Sequence, residues 1–172
     1  IDNSMEKKLF GNVDYAEVQA LVDARVAAHD EKVADSGKNL VPVIPVNMDR
    51  GMAPASLGLV TAYAMEYEGG KLRERYDFVP MFLADEARLV ERAATPGVFI
   101  FSNYLWTVDT NLKMSAAIKA VNSANITIHG GPSTPSYEKD CEMFFADNPH
   151  VDVAVRGEGE HTFADLLDKI DI

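Results

Sequence analysis

The spacing of apolar positions changes several times along the chain. Over Val13–Ala34, the residues Val18, Leu21, Val22, Val26 and Val33 trace an approximate helical stripe. Asp14, with Glu17 three residues on, fits a capping box at its start. Ser36-Gly37 ends it. From Leu40 the pattern becomes one of short β-branched and aromatic runs. Leu40–Met48, Asp77–Leu83, Val98–Tyr104, Ile126–His129 and Val151–Arg156 read as five strands. Helices are expected at Leu57–Glu68, capped by Ser56, and at Asp85–Ala94, Thr107–Asn122, Ser136–Asn148 and Glu160–Ile170. The Val98–Tyr104 run is almost unbroken, as in strands covered on both faces. Pro42 and Pro45 are awkward in a central strand, because neither has an N–H for the ladder.

Strands and helices thus alternate five times at crossover lengths. That predicts an α/β fold: a Rossmann-like, doubly wound, parallel five-stranded sheet with helices on both faces, preceded by a helix. The polar stretch Asp35–Asn39 divides an N-terminal helical extension (1–39) from the α/β domain (40–172).

Composition narrows the function classes. A net charge of -11 argues against a nucleic-acid surface, which needs a basic stripe. Cys141 is the single cysteine, so no disulfide framework and no cysteine-only metal site can form within the chain. Apolar runs stay well short of the ~20 residues of a membrane span, and Ile1–Leu9 lacks the apolar centre of a signal peptide. No membrane association is expected, and a reducing cytoplasmic setting is the default. The chain opens on Ile1 rather than Met and closes as a helix ends, so a piece of a longer polypeptide is expected.

In such a sheet, ligands bind outside the carboxyl ends of the strands. The loops there are Asp49–Ser56, Phe82–Asp85, Ser102–Trp106, Gly130–Pro135 and Arg156–Glu160. Small residues and bare amides dominate three of them, which suits a nucleotide or a phosphate-bearing cofactor tail held by backbone N–H groups. Gly130-Gly131-Pro132 ends a strand abruptly, forming a tight turn or the floor of a site. No nucleophile elbow, Gly-x-x-x-x-Gly-Lys-Ser/Thr loop or His-x-x-x-His pair is present. His129 is expected in the core, His29 and His150 at the surface, and His161 in the first turn of the last helix beside the ligand edge. Glu158 and Glu160 suit a helix N-terminus, and Glu158 could also bond a ligand's hydroxyls or amides. Arg156 is a partner for such an acid. Tyr104 and Trp106 are either core packing or a flat surface for a ligand ring.

Four segments, SLGLVTAYAMEYEGG, FSNYLWTVDTNLKMSAAIK, ITIHGGPSTP and NPHVDVAVRGEGEHTFADLL, resemble in order and spacing the N-terminal cobalamin-binding domain of cobalamin-dependent radical S-adenosylmethionine enzymes. The resemblance covers about Leu40 to Ile170. It implies a Rossmann-like domain whose loops clasp cobalamin. Carried over by position, Gly130, Gly131, Pro132, Gly157, Glu158 and Gly159 would line the nucleotide tail, and Ser56, Leu57 and Gly58 would pack near it. Asn103, Tyr104, Leu105 and Trp106 would face the corrin's lower side, with Leu105 or Trp106 shielding the metal. The Asp-x-His-x-x-Gly loop of mutases and methionine synthase reads Asp49-Arg50-Gly51-Met52 here, so base-off cobalamin without a histidine ligand is implied. The Cys-x-x-x-Cys-x-x-Cys motif of the radical domain is missing. The resemblance therefore places the iron–sulfur cluster, S-adenosylmethionine and catalysis in a C-terminal radical domain of the same parent chain. That enzyme would methylate an unactivated carbon or phosphorus, or use cobalamin for other radical chemistry. Two other readings stay open: a Rossmann-like scaffold or interaction module that has lost cobalamin, and a nucleotide-sugar-binding α/β enzyme domain.

Overall fold

A computed structural model describes residues 15–48 and 55–172. The expected cap Asp14 and the Asp49–Met52 loop lie outside the described residues. Helix α1 spans Tyr15–Ser36, followed by strand β1 (Val41–Asn47) and helix α2 (Ala55–Glu66). Two 3₁₀ turns, Tyr67–Gly69 and Lys71–Glu74, lead into β2 (Tyr76–Phe78) and β3 (Phe82–Leu83). Then come α3 (Glu86–Ala93), β4 (Val98–Ser102), α4 (Val108–Val121), β5 (Ile126–Gly130), α5 (Glu138–Asp147), β6 (Val153–Ala154) and α6 (Glu160–Lys169). Ser56 is not the cap of α2 but sits inside its first turn, because the helix begins at Ala55. Asp85 does cap α3, accepting a hydrogen bond from Arg88 N at 2.9 Å.

The strands are parallel, in the order β2–β1–β4–β5–β6, with β3 also paired to β1. The sheet therefore has five positions, and the expected Asp77–Leu83 strand fills one of them in two pieces. The break has a physical cause. Val41 N donates to Arg75 O, and the Val43 and Asn47 carbonyls accept from Val79 N and Ala84 N, so odd-numbered positions of β1 face this edge. Pro45 is odd-numbered and brings no N–H, and Pro80 stands in the gap opposite. Neither proline has an N–H to donate across it. Pro42 faces the other way, just before the β1–β4 register begins at Val43↔Val98.

The doubly wound expectation holds. On one face, Val43, Val98, Ile100 and Ile128 pack against Leu57 and Ala64 of α2 and Phe163 and Leu167 of α6. On the other, Ile44, Val46, Phe99 and Phe101 meet Val26 of α1, Leu89 of α3 and Ile118 of α4. Each fully buried aliphatic or aromatic side chain stabilises the fold by about 1.5–3 kcal/mol. Helix α1 is docked on the second face by Val26 and by ion pairs, Asp23 with Arg88 at 2.8 Å and Asp30 with Arg92 at 2.7 Å. His29 is not a solvated surface residue: its Nε2 lies 2.7 Å from Asp77 Oδ1 and its side chain is 22% exposed. Among the described residues, no helix is long and apolar enough to cross a membrane. Helix α5 contributes no buried residue.

Candidate functional site

Order reverses between β1 and β4, the switch point of the sheet, and carboxyl ends of β4, β5 and β6 open beside it. Between these ends and the first turns of α2 and α6 lies a cleft of about 170 Å³. Ser56 and Leu57 form one wall, and Gly130 and Gly131 form its floor. Gly157, Glu158 and Gly159 close the far side. The structure thus brings together seven of the residues singled out in the sequence. Gly58 and Pro132 are exposed and do not line the cleft.

Six apolar lining residues were not singled out in the sequence: Val60, Ile100, Phe101, Ile128, Val155 and Phe163. Their signal is periodic rather than chemical. Ile100 and Ile128 share the sheet face of Val98, and Val60 follows Leu57 by three positions on α2. The lining is consequently apolar at depth and hydroxyl-bearing at the rim. There Ser56 Oγ and Ser102 Oγ are 2.9 Å apart, and Tyr104 Oη reaches Ser56 at 3.5 Å.

Two glycines of the lining hold left-handed backbone. Gly157 has φ +72 and nothing within 4 Å of where a Cβ would stand. Gly131 has φ +93, and a Cβ there would meet Asn103 O at 2.7 Å and Asn103 N at 2.8 Å. The close approach exists because Asn103 N donates to Gly130 O at 2.7 Å, drawing the β4 end against the β5 end.

The Ser102–Thr107 segment divides sharply. Leu105 is 85% and Trp106 61% exposed, and the Tyr104 and Trp106 rings stack with centroids 5.1 Å apart at 19°. This flat aromatic surface stands beside the cleft, joined to it through Tyr104 Oη and Ser56. Asn103 does not share it: it is fully buried, on the opposite face of the sheet from the cleft floor, beside His129.

His129 is the expected core histidine. Its ring stacks on Phe101 with centroids 4.5 Å apart. Asn103 Nδ2 donates to His129 Nδ1 at 3.2 Å and to Thr134 Oγ1 at 3.3 Å, while Asn103 Oδ1 accepts from Asn111 Nδ2 at 3.0 Å. Because Thr134 Oγ1 already donates to Gly130 O at 2.8 Å, it can accept here. This pattern uses both amide hydrogens and makes Nδ1 an acceptor, assigning the proton to Nε2. The opposite tautomer, with Nδ1–H donating to Oδ1 at 3.3 Å, would strand one Asn103 hydrogen. Nε2 itself is buried without a partner. Burial, with His150 nearby as a smaller influence, lowers the His129 pKa to about 3.

His150 is half-buried rather than at the surface, with its Nε2 shielded and unpartnered, and burial lowers its pKa as well. His161 is exposed and does not line the cleft; its ring lies 6.4 Å from that of Tyr63 and 6.2 Å from that of Tyr67. Arg156 donates to Ser136 O. Glu160 enters the first turn of α6, where an acid is favoured.

No family model matches the sequence. Two curated proteins do. A 2-(S-pantetheinyl)-carbapenam-3-carboxylate methyltransferase from Streptantibioticus cattleyicolor is 33% identical over 143 residues, 82% of this chain and 19% of the relative. The cobalamin-dependent radical SAM methyltransferase TokK from Streptomyces tokunonensis is 30% identical over 148 residues, 85% of this chain and 20% of the relative. The chain is thus similar to one stretch of two methyltransferases, one of which is a cobalamin-dependent radical SAM enzyme by name. It spans about a fifth of the length of these relatives. The chain itself folds as a parallel α/β sheet and has one cysteine, Cys141.

Proposed function

We propose that this domain binds cobalamin for a radical S-adenosylmethionine methyltransferase. The observation that carries the reading is the glycine-walled cleft beside an exposed aromatic face. A pocket for a whole drug-sized ligand runs to about 300–1,000 Å³, so a cleft of about 170 Å³ takes one end of a larger molecule. The residues fit the nucleotide tail of cobalamin. Ile100, Ile128 and Phe163 offer an apolar slot for its base, while Ser56, Ser102 and Glu158 can hydrogen-bond its polar atoms. The backbone at Gly131 and Gly157 can approach the tail without a side chain intervening. Tyr104, Leu105 and Trp106 would then lie under the corrin. With the base in the cleft and no histidine in the Asp49-Arg50-Gly51-Met52 segment, the bound form is base-off.

When bound, cobalamin supplies methyl-transfer chemistry. This chain's residues bind it, orient it and exclude water from its lower face. The cluster, S-adenosylmethionine and substrate belong to another domain of the parent protein in this reading.

The test is a visible absorption titration of the purified chain with hydroxocobalamin. Saturable binding with a base-off spectrum is expected, and a base-on spectrum or no binding at ~100 μM, equivalent to about −5.5 kcal/mol, would refute the reading. Trp106→Ala should change the bound spectrum and weaken binding about fivefold, the loss of roughly 1 kcal/mol of aromatic contact. An unchanged spectrum would remove Trp106 from the corrin face.

A further inference from the structure

The aromatic face owes its position to a group that no ligand would touch. Leu105 and Trp106 project outward, so the loop bearing them must be held from beneath. Asn103 is the residue beneath it, at 0% exposure. Its side chain reaches three elements at once: His129 on β5, Thr134 in the loop after β5, and Asn111 on α4. Its backbone adds two bonds to the same region, Asn103 N to Gly130 O at 2.7 Å and Ser133 N to Asn103 O at 3.0 Å. Asn111 and Thr107 complete the support. Asn111 Nδ2 donates to Ser102 O at 3.1 Å, and Thr107 Oγ1 accepts from Tyr104 N at 3.0 Å.

We infer that Asn103 is a positioning residue: its buried amide locks the Tyr104–Trp106 face to the β5 end of the cleft. Both amide hydrogens and the carbonyl are engaged, so the group is not free to bind a ligand. Its geometry does what a ligand contact could not do, which is to fix the angle between the aromatic face and the glycine floor. A network of this kind is effective when every member is satisfied, because any loosened member leaves a buried polar group unpaired. The link to cobalamin rests on the proposed function; the link to the loop does not.

Trp106 is the only tryptophan, so its fluorescence reports on this loop alone. In the ligand-free chain, Asn103→Ala should raise the acrylamide quenching of Trp106 about twofold and lower its anisotropy, as local opening of the loop requires. Ser115→Ala is the control. Ser115 is fully buried on α4 and bonds Leu112 O, so its loss destabilises the same layer without touching the loop. It should leave both signals at the wild-type value. Should Asn103→Ala not fold, Asn111→Ala, which removes the bonds to Ser102 O and Asn103, should move both signals in the same direction. Wild-type signals in the folded Asn103 or Asn111 variant, or equal changes in Ser115→Ala, would overturn the inference. In a second arm, Asn103→Ala should weaken hydroxocobalamin binding about tenfold or more. If the wild type binds no corrinoid, the cofactor reading fails while the fluorescence result still decides the role of Asn103.

Discussion

Gly131→Ala should cost the fold about 2–6 kcal/mol, the sum of roughly 1–3 for a strained backbone and 1–3 for forced overpacking. Both contributions have named sources. The backbone has φ +93, which L side chains rarely adopt, and the new Cβ would stand 2.7 Å from Asn103 O and 2.8 Å from Asn103 N. Those are backbone atoms, tied by the bonds to Gly130 O and from Ser133 N, so no side-chain rotation relieves the contact. At about 2–4 °C per kcal/mol for a domain of this size, the melting temperature should fall by roughly 4–24 °C. Gly157→Ala is the comparison. Its φ is +72, but a Cβ there meets nothing within 4 Å, so only the strain of about 1–3 kcal/mol remains. Thermal denaturation followed by circular dichroism checks both. Equal losses would show that the Asn103 contact contributes nothing.

Acid should destabilise the domain from about pH 6.5 downward, beginning above the range in which ordinary carboxylates titrate. His129 has a folded pKa of about 3 against an ordinary value of 6.5. Between those values the unfolded chain takes up a proton that the folded chain refuses. Stability is therefore complete above about pH 6.5 and falls steadily as the pH drops toward 3. At about 1.4 kcal/mol for each pH unit crossed, the total is several kcal/mol, a large part of the ~5–15 kcal/mol of a typical domain. The network explains the refusal. A second ring proton would sit on Nδ1 and point at the Asn103 Nδ2 hydrogens, while Nε2 is already without an acceptor. His150 shifts in the same direction, and Asp152 opposes both as a lesser influence. Urea denaturation between pH 4.5 and 7.5 is the measurement. His129→Phe should lose about 1–3 kcal/mol at neutral pH, through the unpaired Asn103 amide, and show a flatter pH dependence. An unaltered slope would place the proton uptake elsewhere.

Much of the fold was legible because its signals are local. The β-branched runs Val98–Tyr104 and Ile126–His129 became β4 and β5, and Gly130-Gly131 became the cleft floor. What the pattern did not reveal depends on contacts between distant segments. The split of Asp77–Leu83 follows from Pro45 lying opposite Pro80, a register visible only once β1 and its neighbours pair. His29 looked solvated because its partner, Asp77, lies 48 residues away. Asn103 sits next to three residues that reach the surface or the cleft rim, and the sequence reading assigned it to the same ligand face as them. Its burial comes from the strand alternation that turns its side chain toward α4 and His129.

The most direct measurement of the cofactor reading compares two corrinoids. Isothermal titration of the chain with hydroxocobalamin and with cobinamide, which lacks the nucleotide tail, isolates the cleft from the aromatic face. If the tail enters between Ser56 and Gly131, cobinamide should bind at least about tenfold more weakly, a difference of roughly 1.4 kcal/mol. Equal affinities for the two, or no heat with either, would contradict it.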